Sequence, residues 1–166
     1  VRDNKLVVES KGIYSIENFL LSRRLMYWQV YHHKTAIAAE NILINILKRA
    51  KELTAKGETL FASPSLNYFL QNDINKSSFD DETLKHFVNL DDSDILSALK
   101  VWTSAEDKGL SALSSSFLNR HLFKIEVLDE PADEKRKKEY IKKYAEHCSI
   151  SEHEASFFIS SGTITT

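Results

Sequence analysis

The sequence predicts a mainly helical α+β fold, on three observations. The stretch from Gly12 to about Lys56 contains no proline and no further glycine, and its apolar residues recur at helical spacing. Several shorter segments that follow begin with a serine or aspartate before an apolar stripe, as helices do. The segments FKIEVL and ASFFISSGTITT favour β-strands by composition. We therefore expect a helical core around one long helix, with a small C-terminal β element.

The long helix has a predicted start and a predicted break. Ser15 is placed to cap its N-terminus, and Glu17 lies in the first turn, where the helix dipole favours a negative charge. Forty residues would form a rod of about 60 Å, so we expect a bend or break between Thr35 and Glu40. Apolar residues occupy both faces, which predicts a helix buried from both sides.

Capping residues mark the shorter helices. Gly57 ends the long helix, and Ser63 with Pro64 opens the next one. A Ser/Asp cap precedes a helix whose apolar stripe is Leu84, Phe87 and Val88. The run of acids from residue 91 to residue 94 resembles metal ligands, but capping is the better interpretation. The following helix leads into a predicted strand, and its residues Leu110, Leu113, Phe117 and Leu118 are predicted to pack inward.

The character of the chain changes at Asp129, where a charged amphipathic helix is predicted on the edge of the fold. We therefore divide the chain into residues 1–128, a helical domain, and residues 129–166, a helix and strand appendage. Residues 3–9 read as a short strand, and the tail could supply its partner. We expect further chain before residue 1 and after residue 166.

The polar residues of the long helix are the candidate site. Arg23, Tyr27 and Tyr31 lie at i, i+4 and i+8 and form one ridge, with Lys34 further along. An arginine fork and two phenols in an apolar setting suit the phosphates and sugar of a nucleotide. The alternative is that Arg23 extends to solvent and both tyrosines are core aromatics with satisfied hydroxyls.

The runs KGIYSIENFLLSR, RRLMYWQVYHHKT and AENIL resemble the central helix of bacterial HD-superfamily phosphohydrolases, relatives of the deoxynucleoside triphosphate triphosphohydrolases. A eukaryotic member has an arginine followed eight positions later by a tyrosine, and after that tyrosine come any one residue, a histidine and a lysine. Arg23, Tyr31, His33 and Lys34 match that spacing. The segments LDDSDI and NRHLFKIE are similar to later parts of the family. The resemblance implies an HD-domain-like helical fold and a nucleotide or phosphoester substrate.

The superfamily's metal ligands, His…His-Asp…Asp, are the main departure, because this sequence contains no His-Asp dipeptide. In the family these ligands lie upstream of the central helix. The resemblance therefore implies that this chain is the C-terminal part of such an enzyme, inactive alone, and that a divalent metal ion is bound by residues upstream. It also implies that Arg23, Tyr27 and Tyr31 are catalytic-site residues.

His33, Lys34 and Arg120 form a second candidate group. Lys34 is roughly 16 Å along the helix from Arg23, too far to share one phosphate group. The resemblance implies that the three residues hold a regulatory nucleotide near a subunit interface, and that the protein is a homo-oligomer. The alternative for Arg120, with His121 in the last turn of its helix, is a cation that suits the helix C-terminus.

Composition narrows the function classes. The net charge of −2 argues against a general nucleic-acid or membrane-surface binder. The one cysteine, Cys148, fits a reducing cytoplasm, and no apolar run is long enough to span a membrane. The leading hypothesis is part of an HD-type metal-dependent phosphohydrolase that hydrolyses a deoxynucleotide or related phosphoester. The alternative is a non-catalytic helical module for nucleotide sensing or oligomerisation.

Overall fold

A computed structural model describes residues 7–128 and 133–162 of the chain. The chain divides into two compact units, Val1–Ile37 and Ala38–Thr166. The fold is mainly helical, as predicted, with eight α-helices among the described residues. The predicted division into residues 1–128 and 129–166 stays a prediction. No helix in this described part is both long and apolar enough to cross a membrane.

The first unit contains the start of the predicted long helix. A 3-10 turn at Ser10–Gly12 leads directly into α1, Ile13–Met26. The prediction that Ser15 caps this helix is wrong, because Ser15 lies within its first turn. Gly12, the residue before α1, has helical backbone angles and no side chain to accept a hydrogen bond. The 3-10 turn therefore replaces a side-chain cap.

The helix is interrupted, as predicted, but earlier than residues 35–40. A π-helical turn spans Tyr27–Tyr31, and α2, Lys34–Ala55, begins three residues later. The Nδ1 atom of His33 accepts the backbone N–H of Thr35 at 3.2 Å. The imidazole satisfies one of the free donors at the start of α2, as capping side chains do. The second helix thus begins where this histidine supplies a cap.

The side chains of α1 are not buried from both sides, and this prediction is wrong for the described residues. None of its residues is buried. Its large apolar side chains range from 38% exposed at Ile16 to 76% exposed at Tyr14. Within the first unit its neighbours are the flanking 3-10 turn and π-turn. Apolar residues on both faces are typical of a buried helix, but this pattern does not specify which other part of a protein packs against the helix.

The second unit holds the hydrophobic core. Ile42, Ile46, Ala50 and Leu53 of α2 are almost fully buried, and they form one cluster with Leu66, Leu70, Ala98, Leu99, Trp102, Leu110 and Leu113. The helices around α2 are α3, Pro64–Gln71; α4, Asp81–Val88; α5, Asp92–Trp102; α6, Lys108–Leu118; α7, Glu134–Cys148; and α8, Glu152–Ser156. Leu110 and Leu113 are buried, with Phe117 and Leu118 partly so, as predicted for α6.

The capping residues predicted for α3, α4 and α5 are confirmed. Ser63 accepts the N–H of Leu66 and Pro64 lies in the first turn of α3, while Asp80 caps α4. Asp91 caps α5 and forms a capping box with Asp94. The capping interpretation of this acidic run is therefore the correct one. Gly57 follows α2 with φ of 92°, a left-handed conformation in which glycine carries no steric cost.

The predicted strands are absent from the described residues. Residues 7–9 and 121–128 have no regular structure, and the start of ASFFISSGTITT continues α8. A capping box between Ser151 and Glu154 starts this helix, and the N–H groups of Phe157 and Phe158 bond helically to Glu154 and Ala155. The local capping signal outweighed strand propensity, which depends on a partner strand. Residues 3–6 and 163–166 of the predicted strands lie outside the described residues.

Candidate functional site

The three residues of the predicted ridge contact one another in sequence order. Arg23 donates from Nη2 to the hydroxyl of Tyr27 at 3.4 Å, and its guanidinium carbon lies 5.4 Å from the Tyr27 ring centroid. The Tyr27 and Tyr31 ring centroids are 5.1 Å apart. His32 lies near the same row, with its ring centroid 6.0 Å from that of Tyr27. The structure therefore brings Arg23, Tyr27 and Tyr31 into one continuous row.

This row has the chemistry of an anion-binding surface. Tyr27 and Tyr31 are 40% and 56% exposed. The bond to Tyr27 engages one of the five N–H donors of Arg23, so the guanidinium retains the geometry for a forked contact with phosphate. The cation–π contact holds the guanidinium beside the phenols. The catalytic role of these three residues stays a prediction.

His33 and Lys34 lie where the π-turn ends and α2 begins. His33 uses its Nδ1 atom as an acceptor for Thr35, so its imidazole is part of the start of the helix. Lys34 is exposed at the first residue of α2. A cation is unfavourable at this end of a helix, because the dipole there is positive. An anion bound beside Lys34 would relieve that repulsion.

Arg120 lies in the second unit, just beyond α6 rather than in its last turn. Its φ is 58°, and it is exposed. The N–H of Arg120 bonds to the carbonyl of Phe117, and the N–H of His121 bonds to that of Ser116. This is the Schellman pattern, in which glycine is the usual residue at the left-handed position. Whether Arg120 acts together with His33 and Lys34 stays a prediction.

A buried charged network around Arg49 is the feature that the sequence did not predict. Arg49 donates from Nε and Nη2 to the two carboxylate oxygens of Asp107, at 3.1 and 2.6 Å, and from Nη1 to Glu52 at 2.7 Å. Glu154 lies 3.8 Å away, and the ring of Phe157 is 5.6 Å from the guanidinium carbon. The signal available in the sequence was an arginine on the mainly apolar buried face of α2, where Asn45 is the other polar residue.

The network changes the protonation behaviour of its members. Burial would raise the pKa of Asp107, but hydrogen bonds from Arg49 and from the Leu110 N–H outweigh it, so this pKa lies below its ordinary value. The pKa of Glu52 is also lowered, because hydrogen bonds from Arg49 and His153 outweigh its desolvation. The hydrogen bond to Asp107 raises the pKa of Arg49. All three groups are therefore held in their charged forms.

The described residues do not supply a metal centre. No group of three or more His, Cys, Asp or Glu among residues 7–128 and 133–162 is arranged to hold a metal ion.

Comparisons with known proteins relate the chain to one class. Residues 1–68 match the family described as the HD associated region. A crystal structure of a phosphohydrolase from Bacteroides thetaiotaomicron matches 99% of this chain with 51% sequence identity and a TM-score of 0.94. These matches relate the chain to the HD associated region and to a protein named a phosphohydrolase, and its helical fold is that of part of the Bacteroides protein.

Two curated bacterial relatives agree over most of the chain. The uncharacterized protein YwfO of Bacillus subtilis is 38% identical over 123 residues, 74% of this chain. An uncharacterized protein of Mycoplasma pneumoniae, a homolog of MG461, is 31% identical over 134 residues. The match spans 27% and 32% of the lengths of these relatives, and 42% of the Bacteroides chain. The chain thus corresponds to less than half of each relative.

Proposed function

We propose that this chain is part of an HD-type metal-dependent phosphohydrolase that hydrolyses a deoxynucleotide or a related phosphoester. The observation that carries the proposal is the 51% identity over 99% of the chain to the Bacteroides protein called a phosphohydrolase. Identity at that level, extended over nearly every residue, supports a shared chemistry. The deoxynucleotide as substrate rests on the resemblance of the ridge and its flanking segments to the family.

In this proposal the ridge binds the substrate. Arg23 contacts a phosphate through its free N–H donors, and Tyr27 and Tyr31 contact the sugar or a neighbouring phosphate through their hydroxyls. The π-turn supports this role, since such turns are frequent at functional sites. The exposed apolar surface of α1 supports a place for this helix inside a larger protein.

The proposal includes a divalent metal ion, and we assign its ligands to residues other than those described here, because residues 7–128 and 133–162 contain no group of three or more His, Cys, Asp or Glu that could hold it. When bound, such an ion supplies an activated water molecule for attack on the phosphorus. The residues described here contribute substrate binding and orientation. Binding energy that holds the phosphate in line with an attacking group lowers the entropic part of the barrier.

A hydrolysis screen on the full-length protein tests the proposal. Deoxynucleotides, ribonucleotides and a simple phosphomonoester are incubated with Mn²⁺, Mg²⁺ or Zn²⁺, and the released phosphate, pyrophosphate or triphosphate is measured. We expect metal-dependent turnover of at least one deoxynucleotide or phosphoester. Residues 1–166 alone, assayed in parallel, are expected to release none.

Calorimetric titration with the same nucleotides separates this function from the alternative. Binding without turnover, by a folded full-length protein supplied with each metal, contradicts hydrolysis and favours a nucleotide-sensing module. Turnover by residues 1–166 alone would contradict the assignment of metal binding to residues outside this chain.

A further inference from the structure

His33 lies at the junction between the π-turn and α2, and it bonds in both directions. Its backbone N–H donates to the carbonyl of Val30 at 3.3 Å. Its carbonyl accepts the N–H groups of Ala36 and Ile37 at 2.9 and 3.2 Å. Its ring atom Nδ1 accepts the N–H of Thr35 at 3.2 Å. The residue therefore closes the turn with its backbone N–H and starts the helix with its carbonyl and its ring.

The ring of His33 competes with a backbone carbonyl for the N–H of Thr35. In an uninterrupted α-helix this N–H would bond to the carbonyl of Tyr31, four residues earlier. In this structure the ring accepts it instead. Capping side chains commonly accept the N–H of the second residue of a helix, and Thr35 is the second residue of α2. The ring therefore favours a helix that begins at Lys34 over one that continues from the preceding turn.

The conformation of the π-turn depends on this new helix start. The N–H of His32 donates to the carbonyl of Tyr27 at 2.8 Å, five residues back, where an α-helix would bond four residues back. Such bonds are rare and are usually limited to a single turn. A helix that continued through the junction would replace this bond and change the path of the backbone through Tyr31. The His33 cap thereby supports the arrangement of Tyr27 and Tyr31 in the ridge.

The two ring nitrogens of His33 correspond to two different roles. Because Nδ1 accepts a hydrogen bond, the neutral ring carries its proton on Nε2. Nδ1 is therefore engaged with the backbone, and Nε2 is the ring nitrogen that a nucleotide would contact. A positioning role uses Nδ1, whereas a ligand-binding role uses Nε2.

We infer that His33 is a positioning residue for the nucleotide ridge and that it acts through Nδ1. By capping α2 it stops the preceding helix from continuing, and so it maintains the π-turn that carries Tyr27 and Tyr31. In this role it does not touch the substrate. The inference rests on the proposed function, because it assigns His33 to the same substrate site.

Asparagine and glutamine at position 33 separate the roles of the two nitrogens. Asparagine places an amide oxygen near the position of Nδ1 and is a preferred capping residue. Glutamine, one methylene longer, places its amide near the position of Nε2 and is not among the preferred caps. The full-length protein is prepared as His33→Asn, His33→Gln and His33→Ala. The control is His147→Gln, at an exposed histidine of α7. Circular dichroism checks that each variant is folded.

Hydrogen–deuterium exchange measures the cap without any assay of activity. Mass spectrometry follows the peptides that cover residues 27–37 in the full-length protein. We expect exchange in this segment to be up to about fivefold faster in His33→Gln and His33→Ala, since each lacks the capping acceptor. His33→Asn and the control should exchange like the wild type.

Steady-state kinetics on the substrate found in the screen measures the effect on the site. We expect His33→Gln and His33→Ala to raise KM up to about fivefold with kcat nearly unchanged. Loss of the cap lowers the fraction of molecules whose ridge is arranged to bind, and bound substrate restores that arrangement. His33→Asn should keep the wild-type KM, which a role through Nε2 would not allow.

Three outcomes would overturn the inference. The first is that His33→Gln keeps the wild-type exchange and KM while His33→Asn loses them, which would assign His33 to ligand binding through Nε2. The second is unchanged exchange in all three variants. The third is faster exchange in His33→Ala with an unchanged KM, because the cap would then not affect the ridge.

Failure of the proposed hydrolysis gives a different result. A full-length protein that turns over no substrate contradicts hydrolysis, and the Kd for nucleotides, measured by calorimetry, then replaces KM in the same comparison of variants. The exchange measurement decides independently whether the ring of His33 caps α2.

Discussion

Arg49 and Asp107 form a two-bond ion pair that joins α2 to the start of α6. Asp107 receives Arg49 Nε at 3.1 Å and Nη2 at 2.6 Å, and it also caps α6 by accepting the N–H of Leu110 at 2.7 Å. The side chains of Arg49 and Asp107 are 6% and 11% exposed. The carboxylate of Asp107 therefore caps α6 and also holds the side chain of Arg49 in place.

Replacing Arg49 should lower the free energy of unfolding. Arg49→Leu leaves Asp107 buried without its partner, and we expect a loss of about 3–5 kcal/mol in the free energy of unfolding. Urea unfolding followed by circular dichroism measures it. Arg136→Leu is the control, since Arg136 pairs with Glu126 at 3.0 Å on the surface and exposed pairs contribute little. Equal effects of the two changes would show that burial of the pair does not matter.

Stability should fall in acid because of the same carboxylates. The folded-state pKa values of Asp107 and Glu52 lie below their ordinary values of 3.8 and 4.5. Groups of this kind stabilise the fold above their unfolded pKa and lose that contribution as the pH falls through the folded pKa. We expect the free energy of unfolding to decline from about pH 5 downward.

Asp107→Asn should flatten part of that decline, because the variant cannot titrate at this position. Urea unfolding at pH 7, 5 and 3 measures the difference between variant and wild type. If the two curves run parallel over this range, the acid sensitivity arises elsewhere.

Glycine at position 120 should stabilise the protein. Arg120 has a φ of 58°, where a side chain is strained and glycine is not. We expect Arg120→Gly to raise the free energy of unfolding by about 1 kcal/mol. Asn119→Gly, at a φ of −88°, should give no gain. A stabilised Arg120→Gly variant that lost a nucleotide response would show that the strained arginine is kept for function.

Arg23→Ala should lower kcat/KM of the full-length enzyme about ten- to a hundredfold, the value of one charged hydrogen bond to phosphate. Tyr31→Phe should have a milder effect. Arg24→Ala is the matched control, because adjacent residues on a helix point about 100° apart. Steady-state kinetics on the substrate found in the screen measures each variant. An unchanged kcat/KM in folded Arg23→Ala would place this arginine outside the site.

The regulatory hypothesis predicts a link between nucleotide and assembly. If His33, Lys34 and Arg120 bind a nucleotide at a subunit interface, deoxynucleotides should increase the sedimentation coefficient of the full-length protein, because a ligand stabilises the state that binds it better. Lys34→Ala and Arg120→Ala should remove the increase. If deoxynucleotides change neither the mass nor the activity of the wild-type protein, the regulatory site does not exist.

The capping signals of the later helices were predicted well from the sequence, although that of α1 was not, and the long-range pairings were not predicted. Ser63, Asp80 and Asp91 cap helices as predicted, because capping depends on residues two or three positions away. The pairing of Arg49 with Asp107 joins positions 58 residues apart, which no local pattern encodes. The strand predicted from residue 155 onward was wrong for the same reason, because a strand requires a partner strand that is distant in the sequence.

In the candidate site, too, some features were predicted from the sequence and others were not. The helical spacing of Arg23, Tyr27 and Tyr31 predicted one ridge, and the three side chains do adjoin. The π-turn that carries Tyr27 and Tyr31 was not predicted, and neither was the exposure of Leu84, Phe87 and Val88 on α4. Both depend on the balance between backbone bonding and packing, which residue type alone does not determine.

The π-turn determines the angle around the helix axis between Arg23 and Tyr31, the two ends of the ridge. In an uninterrupted α-helix, Tyr31 would be rotated about 80° from Arg23 around the axis, since eight residues exceed two turns by that angle. From Tyr27 to Tyr31 the wider turn, about 4.4 residues per revolution, rotates the chain back by roughly 30° and offsets most of the advance between Arg23 and Tyr27. The one extra residue in Tyr27–Tyr31 thus acts as an angular correction. Its deletion would return the backbone to regular α-helix and place Tyr31 seven residues after Arg23, roughly 20° short of two full turns, so Tyr31 would stay on the same side of the helix as Arg23.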